Sequence, residues 1–218
     1  MSENLRRART SEQKHFRRQQ ILKAAEVHFG EVGYEAFSMA NLAKQAGVVK
    51  GTLYLYFKTR EEVFLTLYNQ SLNRWSEEFI EHLQPIMNDK EYASVLYETA
   101  MQDQLFVPLL GRLEQVIEHN VSIDSLIHSK RLFIRQVNYI AQTTSAILGL
   151  STLGAQEVVR TMGVLLVGAT RADQAPSLDA EDVPSDVRSL IDLFSSENLF
   201  ISNACRIIAG IRSSDSLE

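Results

Sequence analysis

Residues Ser38–Phe57 have the sequence SMANLAKQAGVVKGTLYLYF, which predicts two short helices joined by a tight turn. In the first helix, Leu42 and Ala46 lie on one face because they are four residues apart. Gly47 follows and suits the left-handed backbone conformation at the end of a helix, which costs glycine less than a residue with a Cβ. The second helix is predicted from about Lys50.

The second helix has an apolar face and a face that suits a DNA groove. Leu53 and Phe57 are four residues apart and point inward. A glycine on the outer face allows close approach, Lys and Thr reach phosphates or base edges, and Tyr supplies a hydroxyl and a flat ring. An ordinary helical hairpin would have the same inner pattern. The outer residues are Lys50, Gly51, Thr52 and Tyr54.

Composition indicates an all-α protein. The chain has 218 residues, 45% of them apolar, with only four prolines and ten glycines. Its one cysteine, Cys205, excludes an intramolecular disulfide framework and a cysteine-based zinc site. No run of 18 apolar residues occurs and the N-terminus is rich in arginine, so we expect neither a membrane span nor a secretory signal, and a cytoplasmic location.

The net charge of −5 is unevenly distributed. Residues 1–60 contain 11 Lys and Arg against 5 Asp and Glu, whereas residues 61–218 contain 11 against 22. A basic end on an acidic body orients a protein toward a polyanion, although surface charge also clusters by chance.

The flanks of the hairpin predict two further features. Residues 1–10 contain three arginines and resemble a mobile basic arm for a minor groove or phosphates, although a solvated tail has the same composition. Thr10 with Gln13, and Thr59 with Glu62, fit capping boxes that begin helices. Further helices are predicted over 59–86, 91–102, 103–120 with a break at Pro108, 122–150, 155–173, 187–194 and 197–211, with an acidic loop over 172–184.

An effector pocket is predicted among the aromatic residues of the C-terminal part, with polar groups from the helix over 122–150. For each residue taken singly, a place in the hydrophobic core is the stronger interpretation, because most aromatic residues at helical spacing belong to the core. The candidates are Trp75, Phe79, Tyr97, Phe106, Phe133 and Asn138, and with less support Tyr92, Arg135, Tyr139 and Gln142.

Patterns of enzymes and metalloproteins are missing from the sequence. The five histidines form no i, i+4 pair and no HExxH pattern, so no metal ligand is predicted. There is no glycine-rich phosphate loop and no Gly-x-Ser-x-Gly elbow. We therefore expect no catalytic residue, no cofactor and no enzymatic activity.

Residues Gly47–Phe64 (GVVKGTLYLYFKTREEVF), with the preceding AAEVHFGEVGYEAFS, resemble the tetracycline-repressor (TetR) family of bacterial transcriptional regulators over about residues 15–66. The resemblance implies a helix-turn-helix DNA-binding domain over 1–58 and a helical effector-binding and dimerisation domain over 59–218. It also implies that the helix from Thr59 to about Leu83 relays effector binding. The DNA contacts that it implies are Ser38, Met39, Lys50, Gly51, Thr52, Tyr54 and Tyr56, with Lys58 or Arg60 on the backbone.

The resemblance further implies a homodimer built by the helices at 155–169 and 197–211. Independent support is the all-apolar segment 162–169, which a partner would cover on one side unless the same chain covers it fully. A two-fold dimer binds a near-palindromic operator. The predicted interface residues are Met162, Gly163, Leu166, Phe200, Ala204, Ile207 and Ile211.

Two departures from the family pattern bear on function. Val49 stands where members often have Ser, so the second helix of the hairpin lacks a side-chain cap. Met39 stands at a position where members of the family more often have Thr or Val.

The expected function is a homodimeric regulator, in the first instance a repressor, that binds double-stranded DNA and responds to a small apolar or amphipathic effector. The alternative is a helical small-molecule-binding protein without sequence-specific DNA function.

Overall fold

The computed structural model describes residues 2–174, 184, 187–188 and 194–215, except for the side chains of residues 2–10 and 174. Every regular element in these ranges is helical, which confirms the predicted all-α class. No helix there is both long and apolar enough to cross a membrane. The α-helices are α1 Ser2–Ala36, α2 Met39–Gln45, α3 Lys50–Tyr56, α4 Arg60–His82, α5 Asp89–Gln102, α6 Phe106–Leu110, α7 Ile123–Leu148, α8 Thr152–Thr170 and α9 Ser196–Asp215.

The chain forms two compact units. The N-terminal unit comprises Met1–Ser71 and Pro108–Ser129, and the C-terminal unit comprises Leu72–Val107 and Lys130–Glu218. The segment 108–129 therefore belongs to the same compact unit as the helix-turn-helix, which the sequence did not indicate.

Helix α1 begins earlier than expected. The backbone is helical from Ser2, so Thr10 lies inside a helix and does not cap one, and the predicted arm is helical. The physical reason is the content of Leu, Ala, Arg and Glu before Thr10, since these residues extend a helix at little cost. Helical geometry is interrupted at Gly33, whose φ of 69° is left-handed.

The turn between α2 and α3 forms as predicted. Gly47 has a φ of 63°, and the backbone N–H of Val48 donates to the carbonyl of Ala43 at 3.0 Å. Helix α3 begins at Lys50, and Val49 before it provides no side-chain cap.

Thr59 and Glu62, the predicted capping pair, begin α4, but the Glu62 carboxylate accepts from Lys58 and not from Thr59. The hydroxyl of Thr59 accepts from the N–H of Glu62 at 3.1 Å, and the Glu62 carboxylate accepts from the N–H of Lys58 at 2.8 Å. The helix ends at His82, next to the Leu83 that the resemblance implied and before residue 86, because Pro85 disfavours helical geometry in the residue that precedes it.

The segment 103–120 is broken further than predicted. After α6 come a five-residue π-helix, Leu113–Ile117, and one turn of 3₁₀ helix, Glu118–Asn120. The predicted loop over 172–184 and helix over 187–194 lie mostly outside the described residues.

Helices α5, α8 and α9 pack against one another in the C-terminal unit. Phe200 and Ala204 of α9 are buried there. Arg212, near the end of α9, donates two hydrogen bonds to the Asp89 carboxylate and one to the carbonyl of Leu148. This arginine ties the ends of α7 and α9 to the start of α5.

Candidate functional site

Helices α1, α2 and α3 form a packed platform in the N-terminal unit. Ile21 of α1, Leu42 of α2, and Leu53 of α3 are fully buried, and Phe57 closes the end of α3. The hydroxyl of Ser38 accepts from the N–H of Asn41 at 3.2 Å and so caps α2. Burial on the inner sides holds the outer side of α3 in a fixed orientation.

The outer side of α3 is the α3 face, which we define as Lys50, Gly51, Tyr54 and Leu55; all four are exposed. The ammonium of Lys50 lies 5.9 Å from the centre of the Tyr54 ring. A Cβ built on Gly51 would meet no atom of the described residues within 4 Å apart from its own helix backbone and chain neighbours, so their packing does not require a glycine there. The structure thus brings together three predicted contact residues, with Thr52 and Tyr56 half-buried beside them.

Two of the residues predicted to contact DNA make contacts within the N-terminal unit. The Met39 side chain is only 9% exposed because it joins Leu42 on the inner side of α2. The Arg60 guanidinium lies 4.9 Å from the ring centre of Tyr34 and 3.1 Å from the Glu61 carboxylate, so it is held within the unit. Lys58 is exposed, and Ser38 is partly exposed with its hydroxyl engaged in the cap.

Four exposed residues were missed by the sequence argument. Once Met39 points inward, helical geometry places Ala40, Asn41 and Lys44 on the outer side of α2. Leu55 of α3 is 84% exposed, and the sequence analysis assigned it to neither face. The signal was available for Leu55, because it lies four residues after Gly51 and so shares its side of the helix.

A groove of about 430 Å³ lies beside the platform, where the early part of α1 meets the end of α3. Lys14 and Arg17 are the charged residues among the described side chains that line it, and none of these side chains is acidic. Phe16 and Tyr56 supply aromatic surface, with Phe16 well exposed. The groove extends the cationic surface from α3 to α1.

Burial also affects an ionisable group of the N-terminal unit. Burial raises the pKa of the Tyr34 hydroxyl, and the nearby Arg60 and Arg112 oppose that shift. The hydroxyl itself is buried without a hydrogen-bond partner.

Three of the predicted pocket residues form a stack in the C-terminal unit. The Trp75 ring lies nearly parallel to Phe79 and Phe106, with centroids 5.5 and 4.7 Å away. The indole N–H of Trp75 donates to the Thr99 hydroxyl at 3.2 Å. All three rings are buried.

The other three predicted pocket residues lie apart from the stack. Tyr97 is half-buried, hydrogen-bonded to Ser196 and 5.6 Å from the Phe200 ring. Phe133 is half-buried, whereas Asn138 is exposed and accepts a hydrogen bond from Gln156 at 2.9 Å.

The predicted interface residues divide by burial. Four of them are buried within one chain, where α8 and α9 pack together, and so they form its core: Met162, Leu166, Phe200 and Ala204. Gly163, Ile207 and Ile211 are partly exposed, and the neighbouring Val164 is 76% exposed. In the described part of the chain, no three His, Cys, Asp or Glu residues come together as a metal site.

Comparisons with known proteins agree with this arrangement. Residues 21–67 match the profile of bacterial regulatory proteins of the tetR family, and residues 69–181 match that of the tetracyclin repressor-like C-terminal domain. The fatty acid metabolism regulator protein of Bacillus subtilis is 36% identical over 72 residues, 33% of this chain and 37% of that protein. The regulator QacR of Staphylococcus aureus is 28% identical over 89 residues, 41% of this chain and 47% of QacR. The chain thus spans less than half the length of these curated relatives.

Solved structures share the fold over most of the chain. The fatty acid degradation regulator FadR from Bacillus halodurans has a TM-score of 0.54 at 17% identity and covers 88% of this chain and 97% of its own. The multidrug binding protein EbrR has a TM-score of 0.55 at 17% identity, with coverages of 90% and 94%. At such identities the likeness concerns the fold alone. Because the C-terminal profile by itself matches more than half of the residues, the chain belongs to the TetR family of bacterial regulatory proteins.

Proposed function

We propose that the protein is a homodimeric transcriptional regulator, a repressor, that binds a near-palindromic operator through Met39–Phe57 and is released by a small effector. The observation that carries this proposal is the α3 face. It combines a cation, a glycine that no internal packing requires, and an aromatic hydroxyl on a helix whose other side is buried. A helix with this surface fits the width of a major groove.

The charges around the α3 face suit a phosphate backbone. Lys50 and Lys58 are exposed at the two ends of α3, and Lys44 is exposed on α2. Lys14 and Arg17 in the α1 groove add two cations next to Tyr56. Contacts with phosphates position a protein on a duplex, and contacts with base edges select the sequence. We assign the cations to the first role and the centre of the α3 face to the second.

The homodimer requires a surface that one chain leaves uncovered. Gly163, Ile207 and Ile211 remain partly exposed on α8 and α9, and Val164 and Gly168 are exposed beside them. Among the described residues, and apart from the helix's own backbone and the chain neighbours, no atom lies within 4 Å of a Cβ built on either glycine, so a partner helix can approach closely there. We propose these residues as the centre of the interface, with two-fold symmetry that matches the two half-sites of the operator.

The effector is proposed to enter the C-terminal unit among Trp75, Phe79 and Phe106. These rings offer flat apolar surface, with the Thr99 hydroxyl close to the indole. An apolar or amphipathic compound suits such a lining. Because one relative and one structural neighbour are named as regulators of fatty acid metabolism or degradation, fatty acids are the first compounds to test. Binding would favour a state with lower affinity for the operator.

Selection of bound fragments from a random duplex library tests this function. The expected outcome is a near-palindromic consensus bound by two chains. Affinity for the selected duplex should then fall by roughly 1–3 kcal/mol in Lys50→Ala. Lys90→Ala is the matched control, because Lys90 is an exposed lysine of the C-terminal unit. Absence of any consensus would favour the alternative of a small-molecule-binding protein without sequence-specific DNA function, whereas equal affinities of the Lys50 and Lys90 variants for a selected duplex would contradict the contact assigned to Lys50.

A further inference from the structure

Leu55 is an apolar side chain at the centre of a polar, cationic surface. It is 84% exposed, and its neighbours on the α3 face are Lys50, Gly51 and Tyr54. A single exposed leucine needs no explanation on an ordinary surface. On the α3 face an exposed leucine does need an explanation, because the proposed partner of that face is a polyanion and a leucine has neither a charge nor a hydrogen-bonding group.

Gly51 is a second, independent observation at the same place. It lies one helical turn before Leu55, on the same side of α3. Gly51 is the second residue of α3, where alanine would favour the helix more than glycine does. Its φ is not left-handed, and a Cβ added to it would have no atom of the described residues within 4 Å apart from its own helix backbone and chain neighbours. Neither backbone geometry nor internal packing accounts for it. The missing side chain leaves an open space beside the Leu55 side chain, into which an external group can project.

The chemistry of the major groove restricts what that group is. The base edges there offer hydrogen-bond donors, hydrogen-bond acceptors and one apolar group, the C5-methyl of thymine. Against a donor or acceptor, Leu55 would remove water without replacing its hydrogen bond, which is unfavourable. Against the thymine methyl, the same leucine buries apolar surface on both partners.

We propose that Leu55 is a specificity-determining residue that contacts the C5-methyl group of a thymine in each operator half-site, with the methyl seated in the open space beside Gly51. This inference rests on the proposed function, since it specifies one base contact of the same surface. Lys50 and Tyr54 flank the contact and face the backbone or the adjacent base.

Replacement of thymine by deoxyuridine in the selected duplex tests the contact, because the two bases differ only in that methyl group. We expect one thymine per half-site at which deoxyuridine weakens binding by the wild-type protein about threefold to fourfold, from the loss of one buried methyl. In Leu55→Ala the same base change should have no effect. A double-mutant cycle that combines Leu55→Ala with the base change therefore measures the coupling energy between the Leu55 side chain and the methyl group, which neither change measures alone.

The controls separate this contact from general effects. Leu55→Ala should retain the wild-type circular dichroism and melting temperature, because an exposed leucine contributes little to folding. Val27→Ala removes an exposed apolar side chain of α1, and it should keep the full sensitivity to deoxyuridine.

Three outcomes would overturn the inference. A selected half-site without a preferred thymine would contradict it, as would an undiminished deoxyuridine effect in Leu55→Ala. Each of these leaves the proposed regulator intact, because the duplex is still bound. Failure of the wild-type protein to bind any selected duplex would remove the proposed function and this contact together.

Discussion

The guanidinium of Arg112 lies 4.8 Å from the ring centre of Tyr34, and the Arg60 guanidinium lies 4.9 Å from the same ring. The stack joins the segment before the π-helix to the end of α1 and the start of α4. Close by, the hydroxyl of Thr59 donates to the carbonyl of Asn120 at 3.0 Å. These two contacts connect the segment 108–129 to the end of α1 and to the start of α4 within the N-terminal unit.

Arg112→Ala should lower the free energy of unfolding by about 0.5–1 kcal/mol, the usual worth of a cation–π contact that is partly exposed. Urea denaturation followed by circular dichroism measures it. Tyr34→Phe is the control, because it keeps the ring and removes a buried hydroxyl that has no hydrogen-bond partner. That variant should be as stable as the wild type or more stable. A loss of stability in Tyr34→Phe equal to that in Arg112→Ala would contradict the stack as the source.

Gly51→Ala should separate folding from DNA binding. Because the added methyl meets no atom of the chain, the variant should gain up to about 0.5–1 kcal/mol of stability from the better helix propensity of alanine. The same methyl fills the space that we assign to the operator, so affinity for the selected duplex should fall. Thermal denaturation and fluorescence anisotropy measure the two effects. A variant that is more stable and binds as tightly as the wild type would show that nothing approaches Gly51.

The contact between Asp215 and Ser151 in the C-terminal unit should weaken at acidic pH. Its carboxylate accepts hydrogen bonds from the hydroxyl and the backbone N–H of Ser151, the residue that caps α8, and these bonds lower the pKa of Asp215 below 3.8. Because the pKa of Asp215 is lower in the folded chain than in the unfolded chain, the stabilisation is present at pH values above the unfolded-state pKa. It is lost as the pH falls through the folded-state pKa.

Asp215→Asn should therefore unfold at a lower temperature than the wild type at pH 7, and the difference should shrink below about pH 4. Melting curves across that range measure it. Asp124→Asn, which changes an exposed carboxylate in the first turn of α7, is the control for the general loss of one charge. A wild-type advantage over Asp215→Asn that stayed constant down to acidic pH would rule out the ionised carboxylate as its cause.

Trp75 provides a direct signal for effector binding, because it is the only tryptophan of the chain. A compound that inserts beside Phe79 or Phe106 changes the surroundings of the indole, so its emission should shift or be quenched. Compounds that release the operator should give this change at the same concentrations. Release of DNA without any change in Trp75 emission would place the effector away from the stack.

Sequence alone predicted the helix-turn-helix well, because short-range rules govern it. Gly47 adopts the expected left-handed conformation, and Thr59 with Glu62 begins α4 near the expected residue. The error at Thr10 has a local cause too, since an N-capping residue begins a helix only where the residues before it resist helical geometry. The sequence also implied the broad division into a basic N-terminal and a helical C-terminal part.

The surroundings of several predicted site residues depend on tertiary packing. Met39 and Arg60, which the family pattern assigns to DNA, are respectively buried beside Leu42 and stacked on Tyr34. Phe200, which the family pattern assigns to the dimer interface, is buried by its own chain. An apolar side chain gives the same sequence signal whether its own chain or a partner covers it, so only the packed structure separates these cases.

The most direct test of the central claim, that the α3 face enters a DNA groove, is the affinity of the purified protein for its selected duplex as salt increases. Each phosphate contact releases counterions, so the logarithm of the association constant should fall linearly with that of the salt concentration. Lys50→Ala should reduce the slope by about one for each half-site that it contacts. A protein that binds no duplex at low salt, or an affinity that does not depend on salt, would contradict the account.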